Sequence, residues 1–218
     1  MTRALVYKEL REVLGIAALG VAASMILALT FIGWRPLEML WSSSQGTIPF
    51  VNDSFATQFG LLAFALAAAL GFRQSLGDFL GDAQMFLLHR PVSRQHVYGV
   101  KLAVGLGAYL LCAAVPVLLY GWWAAQPGTH ASPFDWSMTH TAWRIWLGMT
   151  AVYLGAFLAG IRPAAWFGTR LLPLVTASGV FVLFVVPWSW MIALPVLAAV
   201  DAVLVVLILH VVATRDFG

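Results

Sequence analysis

Residues 73–101 read RQSLGDFLGDAQMFLLHRPVSRQHVYGVK and separate two long apolar segments. This polar stretch decides the fold, because the chain around it is too apolar for a water-soluble domain: 61% of all residues are hydrophobic and only 10% are charged. The stretch therefore predicts a loop between two membrane-spanning helices. Its basic residues indicate the cytoplasmic face of the membrane.

The apolar runs of the chain predict six membrane spans. A helix needs roughly 20 apolar residues to cross about 30 Å of hydrocarbon. The last run, residues 171–214, is too long for one helix, and Pro187 with Trp188 supplies a break in its middle. We therefore predict an all-α integral membrane protein with one transmembrane domain. Its predicted spans are residues 13–34, 55–72, 98–122, 143–162, 170–186 and 190–212.

The charged and aromatic residues predict the orientation. Ten of the 12 basic residues fall on one side of this topology, and short loops rich in Lys and Arg stay in the cytoplasm. Only Arg35 and Arg144 fall on the other side, so both termini are predicted to be cytoplasmic. All Trp residues but Trp166 cluster at the opposite ends of the spans, where indole rings favour the interface. Because the basic residues are dispersed over several loops, no nucleic-acid partner is expected.

The residues before the first span carry an amphipathic pattern. Leu10 and Val13 fall on one helical face, and Lys8 and Arg11 fall on another. This predicts an N-terminal elbow, residues 2–12, that lies along the inner membrane surface in contact with lipids. The alternative is a charged extension of the first span, and the pattern favours neither.

Pro91 divides the polar stretch into two parts. Upstream, apolar residues recur at helical spacing, which predicts a short amphipathic helix over residues 76–89 that Pro91 ends. Downstream, Ser93 is placed to cap the helix of the third span. Arg94 and Lys101 stand in the first turns of that helix, where the helix dipole favours anions. We expect lipid phosphates or an acidic partner to offset their charge.

The segment LLHRPVSR, residues 87–94, followed by Lys101 at the start of the third span, resembles the cytoplasmic loop of type-2 ABC exporter permeases. Before the double leucine that family often carries a Glu and a Gly-Thr pair, where this chain has Asp78, Asp82 and the pair Ala83-Gln84. The resemblance implies a transport subunit of a bacterial-type cytoplasmic (inner) membrane, not an enzyme. It also implies a cytoplasmic coupling helix, residues 76–89, that docks on a separate ABC ATPase subunit.

The resemblance further implies a set of docking residues, apolar anchors followed by basic contacts. They are Phe86, Leu87, Leu88, Arg90, Pro91 and Arg94. The chain has no G-x-x-x-x-G-K-[ST] phosphate loop, so ATP and Mg²⁺ are expected on the partner ATPase and no cofactor is expected on this chain. A six-span half is expected to pair with a second permease copy or a paralogue. Lipids, peptides, drugs and polysaccharides all fit as substrates.

Asp201 is the only charged residue that the topology places inside the membrane, near the middle of the sixth span. Tyr109, Tyr153 and Ser178 are predicted at similar depth, so these four residues are the candidates for a substrate pathway. Asp201 is interpreted either as a substrate or proton site or as a protonated packing contact, and the second interpretation is favoured.

Other classes of function fit the sequence less well. An ion-coupled carrier or channel usually shows more polar residues in the membrane, or an inverted repeat. An intramembrane hydrolase needs a nucleophile and a base at matched depth, and the chain has no G-x-S-x-G motif and no His near the predicted midplane. The even spacing of His130, Asp135 and His140 is only a weak signal for metal ligands. A polar loop is expected there, and no metal site is predicted.

Overall fold

The structure, a computed structural model, describes residues 2–34, 48–77, 93–130, 133–163, 165–185 and 189–214, without the side chains of Trp166 and Phe167. Within these ranges the chain is all-helical and has no strand. Six helices of the described residues are long and apolar enough to cross a membrane, which confirms the six-span prediction and indicates a multi-pass membrane protein. They are α1 (Thr2–Ile32), α2 (Phe55–Leu76), α3 (Arg94–Ala124), α4 (His140–Ile161), α5 (Leu172–Val185) and α6 (Trp190–Thr214).

Two short helical segments lengthen the fourth and fifth spans. A 3-10 helix, Trp136–Thr139, leads directly into α4. A π-helical turn, Trp166–Arg170, precedes α5. The 22 residues of α4 are already enough to cross a membrane, whereas the 14 residues of α5 reach 18 only with the end of the π-helical turn, from Gly168.

The bundle has two chemically different ends. At the first, called the basic end, Glu9 near the start of α1 meets Lys101 near the start of α3, and Gln74 near the end of α2 bonds to the same lysine. At the second, called the aromatic end, Phe31 near the end of α1 packs on Phe55 at the start of α2. The basic end is the one predicted to be cytoplasmic.

The first helix is unbroken, so an N-terminal elbow separate from the first span is not confirmed. The residues of α1 that are buried against the bundle recur along one face from near its start: Glu9, Val13, Gly20, Ser24, Ala28 and Thr30. Leu10 and Leu14 are exposed, as lipid-facing residues of a span are. Residues 2–12 thus continue into the span as one helix, as the alternative describes, and small or polar residues make up most of its packed face.

The fourth helix, α4, is the centre of the bundle. In its most apolar 18 residues 89% are buried, against 17–39% in the other five helices. It packs on α2, α3, α5 and α6, whereas α1 packs on α2 and α3. The side chains of α4 are therefore the ones that the rest of the chain shields from lipid.

Glycines set the closest crossings of α4. A Cβ on Gly71 of α2 would lie 2.6 Å from the carbonyl oxygen of Tyr153 in α4. A Cβ on Gly155 of α4 would lie 2.8 Å from the carbonyl oxygen of Pro173 in α5. Since real Cβ atoms do not approach this closely, only glycine permits these helix contacts.

The long apolar run at residues 171–214 is split into α5 and α6, as predicted. Ser189 opens α6, its Oγ accepting a hydrogen bond from the backbone N–H of Met191 at 3.3 Å. A serine at this place satisfies one of the donors that the first turn of a helix leaves without a partner. The predicted break at Pro187 and Trp188 lies outside the described residues, between the two helices.

Candidate functional site

The predicted coupling helix falls largely outside the described residues. The docking residues in that part of the chain are Phe86, Leu87, Leu88, Arg90 and Pro91, whose role stays a prediction. The flanks are described: α2 ends at Leu76, and α3 begins at Arg94, which is exposed. Ser93 caps α3 as predicted, its Oγ accepting a hydrogen bond from the backbone N–H of His96 at 3.4 Å.

A fully buried ion pair joins α1 and α3 at the basic end. Lys101 Nζ lies 3.2 Å from Glu9 Oε2, and both side chains are 0% exposed. Two predictions are corrected by this pair. Lys101 is offset by a carboxylate of its own chain, not by lipid phosphates or a partner, and Asp201 is not the only charged residue within the spans. Because buried charges are costly unless they are closely matched, the pair constrains how α1 and α3 pack.

Gln74 of α2 extends the pair into a network across four helices. Its Nε2 donates to the carbonyl oxygen of Lys101 at 2.9 Å, and Lys101 Nζ donates to the carbonyl oxygen of Gln74 at 3.4 Å. Tyr153 of α4 donates its hydroxyl proton to Gln74 Oε1 at 2.6 Å. We call Glu9, Gln74, Lys101 and Tyr153 the polar node. All four side chains are buried, and these polar contacts join them to one another; Glu9 also lies 3.5 Å from Lys8.

Gly105 of α3 makes room for the polar node. A Cβ at this position would overlap both Gln74 Oε1 and the hydroxyl oxygen of Tyr153. Any larger residue would therefore push one of these two groups out of hydrogen-bonding position. The node thus depends on five residues of four helices, and Gly105 contributes only space.

The sequence contains a signal for the polar node that the topology reasoning missed. Glu9 and Lys101 each lie seven residues after the first residue of their helices, Thr2 and Arg94, about 10 Å along each axis at 1.5 Å per residue. Two opposite charges at matched depth in neighbouring spans indicate an ion pair. Treating residues 2–12 as a separate surface elbow hides this match.

The four residues predicted to line a substrate pathway are engaged at separate places. Tyr109 donates its hydroxyl proton to a backbone carbonyl of α4 at 2.9 Å. Ser178 donates to a backbone carbonyl of its own helix, α5, at 2.8 Å. Tyr153 belongs to the polar node, and Asp201 bonds to α4. Their role in a pathway stays a prediction.

Asp201 of α6 reaches α4 through one hydroxyl group. Thr150 Oγ1 lies 2.6 Å from Asp201 Oδ2 and 2.7 Å from the carbonyl oxygen of Leu147. The second carboxyl oxygen, Oδ1, is buried and has no hydrogen-bond partner in the described part of the chain. Among the described residues no basic side chain forms an ion pair with Asp201, in contrast to Glu9.

Asp53 organises the aromatic end. Its carboxylate accepts hydrogen bonds from the backbone N–H groups of Phe50 at 3.1 Å and Phe55 at 3.2 Å and from the Tyr120 hydroxyl at 2.7 Å. The rings of these three residues and of Phe31 pack with centroid separations of 4.7–5.6 Å. Three donors satisfy this carboxylate, so the cluster is a structural cap.

The residues with metal-like spacing, two between α3 and α4 and one at the start of α4, contact different groups. His130 Nε2 lies 2.8 Å from the carbonyl oxygen of Ala124. Asp135 Oδ1 accepts from the backbone N–H of Ser137 at 2.7 Å, and the hydrogen bonds from Ser137 hold the pKa of Asp135 below its ordinary value. His140 packs against an aromatic ring of α6. Among the described residues no three such side chains meet to hold a metal ion.

The architecture alone does not assign a function, because helical bundles of this kind carry many activities. Three places in the chain bear on its function: the polar stretch, the polar node and Asp201. Comparison of the chain with protein-family models, with curated proteins and with solved structures finds no match.

Proposed function

We propose that this chain is the transmembrane subunit of an ATP-driven ABC-type exporter in a bacterial cytoplasmic membrane, where it forms half of the translocation pathway. Residues 76–89 dock on a separate ABC ATPase subunit, which binds ATP and Mg²⁺. Both termini are cytoplasmic in this proposal, and the chain itself is not an enzyme. The resemblance of residues 87–94 to the loop of type-2 ABC exporter permeases supports it, together with the six membrane-crossing helices.

The observation that carries the proposal is the position of the polar node near both ends of residues 76–89, which we call the docking stretch. Gln74 lies two residues before the end of α2, and Lys101 lies seven residues after the start of α3. A force on the residues between these helices therefore acts on the node from both sides. Glu9 and Tyr153 pass the displacement to α1 and α4, so four of the six helices move as one unit.

The packing of α4 supports a pathway between two permease chains. Its side chains are covered by α2, α3, α5 and α6 of the same chain, with close crossings at Gly71 and Gly155. In contrast, α1 and α6 expose large apolar residues, among them Leu19 and Met191. Lipids and a second permease copy or a paralogue are the partners that cover such surfaces.

Co-purification tests the proposal. The tagged chain, extracted from native membranes in mild detergent, should carry an ABC ATPase subunit and hydrolyse ATP. We expect Leu88→Asp and Arg94→Glu each to release the ATPase subunit, because both are predicted docking residues, and we expect the spans to stay folded. Arg11→Glu is the matched control. It reverses an exposed charge of α1 that lies at the basic end of the bundle but outside the docking stretch.

Two outcomes would count against the exporter. One is an ATPase subunit that stays bound to both docking variants as it does to the control. The other is a chain that purifies alone and still transports when only an ion gradient is supplied.

A second candidate function, an ion-coupled carrier, is favoured by one observation. Asp201 lies midway along α6 with one carboxyl oxygen that has no partner in the described residues. Carboxyl groups at that depth often bind the coupling ion of carriers. Reconstitution of the chain alone in vesicles separates the candidates, because only a carrier transports without an ATPase and stops when Asp201→Asn is introduced.

A further inference from the structure

The Thr150 hydroxyl lies between two acceptors. Its oxygen is 2.6 Å from Asp201 Oδ2 and 2.7 Å from the carbonyl oxygen of Leu147. A hydroxyl group has one proton, and a carbonyl oxygen can only accept. If Asp201 were ionised, one of these two contacts would bring two oxygens to hydrogen-bond distance with no proton between them. A proton on Asp201 Oδ2 removes the conflict, because Asp201 then donates to Thr150 and Thr150 donates to Leu147.

The depth of the site also favours the neutral acid. Asp201 is the twelfth of the 25 residues of α6, and Thr150 is the eleventh of the 22 residues of α4. Both therefore lie near the middle of their spans, where a carboxylate is poorly tolerated. Asp201 Oδ1 receives no hydrogen bond from the described residues, so an anion here would have one donor at most.

The ionisable groups on the helices packed against α6 are engaged elsewhere. On α4, Arg144 lies 5.0 Å over the Trp190 ring, His140 packs against the same ring, and the Tyr153 hydroxyl bonds to Gln74. On α3, the Tyr109 hydroxyl bonds to the carbonyl oxygen of Trp146, and Cys112 lies beside that of Ala17. The other ionisable residues of α3 lie toward its two ends: Arg94, His96, Tyr98, Lys101 and Tyr120. Within the described chain, none forms an ion pair with Asp201.

We infer that Asp201 and Thr150 form a proton-binding site between α4 and α6, occupied at neutral pH. When the proton leaves to water or to a ligand, no covalent bond other than its O–H bond changes. Thr150 then donates to Asp201 and gives up its bond to Leu147, so the hydroxyl reverses direction. The inference needs no ATPase and stands independently of the exporter proposal.

Labelling with dicyclohexylcarbodiimide tests the site, because this lipid-soluble reagent modifies carboxyl groups only when they are protonated. The full chain is treated in native membranes from neutral to acidic pH, and modified peptides are identified by mass spectrometry. We expect modification of Asp201 at neutral pH, while the exposed Asp135 reacts only in acid. Modification of Asp201 only in the acid range where Asp135 reacts would overturn the inference.

Infrared difference spectroscopy decides the case if the reagent reaches Asp201 at no pH. The purified chain should show, at neutral pH, the C=O band of a protonated carboxylic acid, which lies at higher wavenumber than carboxylate bands. Asp201→Asn should remove this band. A neutral-pH spectrum without such a band, or one in which Asp201→Asn leaves it unchanged, contradicts a resident proton.

Thr150→Val tests the hydrogen bond itself, because the acid band of Asp201 would not shift if Thr150 only packed against it. The variant keeps the shape of the side chain but removes the acceptor for the acid proton. We expect the acid band of Asp201 to remain and to shift toward that of a carboxylic acid without a hydrogen bond. Thr176→Val is the matched control, because its hydroxyl bonds only to backbone carbonyls of α5. A band that moves equally in both variants would exclude the Thr150 contact.

Discussion

The polar node and Asp201 show two ways in which one bundle buries an ionisable side chain. In the node, Glu9 lies 3.2 Å from Lys101, and Gln74 and Tyr153 add hydrogen bonds from two further helices. Asp201 has one hydroxyl partner and one oxygen without a partner in the described residues. The node is neutral because opposite charges cancel, whereas Asp201 is neutral because it carries a proton.

The node is therefore a fixed contact between helices, whereas Asp201 belongs to a site that can change its protonation state. Removing either charge of the node leaves the other in a low-dielectric interior, so the node is stable only when it is complete. A protonated acid can lose and regain its proton without moving a helix. In the proposed exporter the node would transmit movement, and in our inference Asp201 binds a proton.

Lys101→Met should break the node most severely. Among the described residues it leaves the buried Glu9 carboxylate with Lys8 as its basic neighbour, at 3.5 Å, and Lys8 is partly exposed. We expect the free energy of unfolding to fall by about 3–5 kcal/mol. The lone cysteine, Cys112, is buried, so labelling by a thiol-reactive fluorophore during heating reports unfolding.

The control for this prediction is the double variant with Glu9→Met and Lys101→Met. It removes both charges, so most of the lost stability should return. If the double variant unfolds no later than the single variant, Glu9 is not the group that Lys101 balances.

Gly105→Ala should damage the node without touching a charge. The new Cβ would overlap Gln74 Oε1 and the Tyr153 hydroxyl, and we expect a loss of about 1–3 kcal/mol from forced repacking. Gly107→Ala, in the same helix, has no atom within 4 Å of its Cβ position and should be neutral or slightly stabilising. The same thiol assay measures both. Equal losses would show that helix α3, not the node, is sensitive.

Asp201→Asn should have a smaller effect, because an amide can donate to Thr150 as a protonated acid does. We expect a change below about 0.6 kcal/mol, the average for a hydrogen bond between membrane helices. Glu9→Gln makes the same acid-to-amide change in the node and should cost several-fold more, since it removes a charge. Equal effects at the two positions would contradict the view that Glu9 is charged and Asp201 is protonated.

Asp135, an exposed carboxylate at the aromatic end, serves as a reference. We expect its substitution to change stability least. Hydrogen bonds from Ser137 lower the pKa of Asp135. A carboxyl group with a lowered folded-state pKa adds stability above its unfolded pKa, and loses it as the pH falls through the folded value. Thermal unfolding followed by tryptophan fluorescence should therefore show Asp135→Ala slightly less stable at neutral pH. The gap should close in acid; a gap that widens there contradicts the assignment.

Local properties of the sequence predicted the helices. The length of an apolar run decides whether it can span a membrane, and a serine before a helix decides its cap, so the six spans and Ser93 could be predicted without knowing how the helices pack. The elbow prediction used the same kind of pattern. It was not confirmed, because Glu9 is buried by a neighbouring helix and the pattern of one helix does not show its neighbours.

The polar node could not be derived from single segments. Gln74 lies at the edge of the polar stretch, and its side chain gains a role only because α3 and α4 cross α2 at this point. The depth of Asp201 could be predicted from its place in the last apolar run. Its partner could not, because a threonine within a span usually bonds to its own backbone, as Thr176 does. The docking role of residues 76–89 stays a prediction.

Crosslinking from Leu88 tests most directly the central claim, that a separate ATPase drives this bundle through the stretch beside the polar node. Leu88→Cys is introduced together with Cys112→Ala, and a thiol crosslinker is added to native membranes. The account predicts a product that joins the chain to an ABC ATPase subunit, and no such product from a cysteine at the exposed Leu19 of α1. A Leu88 cysteine that crosslinks to no ATPase, or that reacts with a membrane-impermeant reagent outside intact cells, would contradict it.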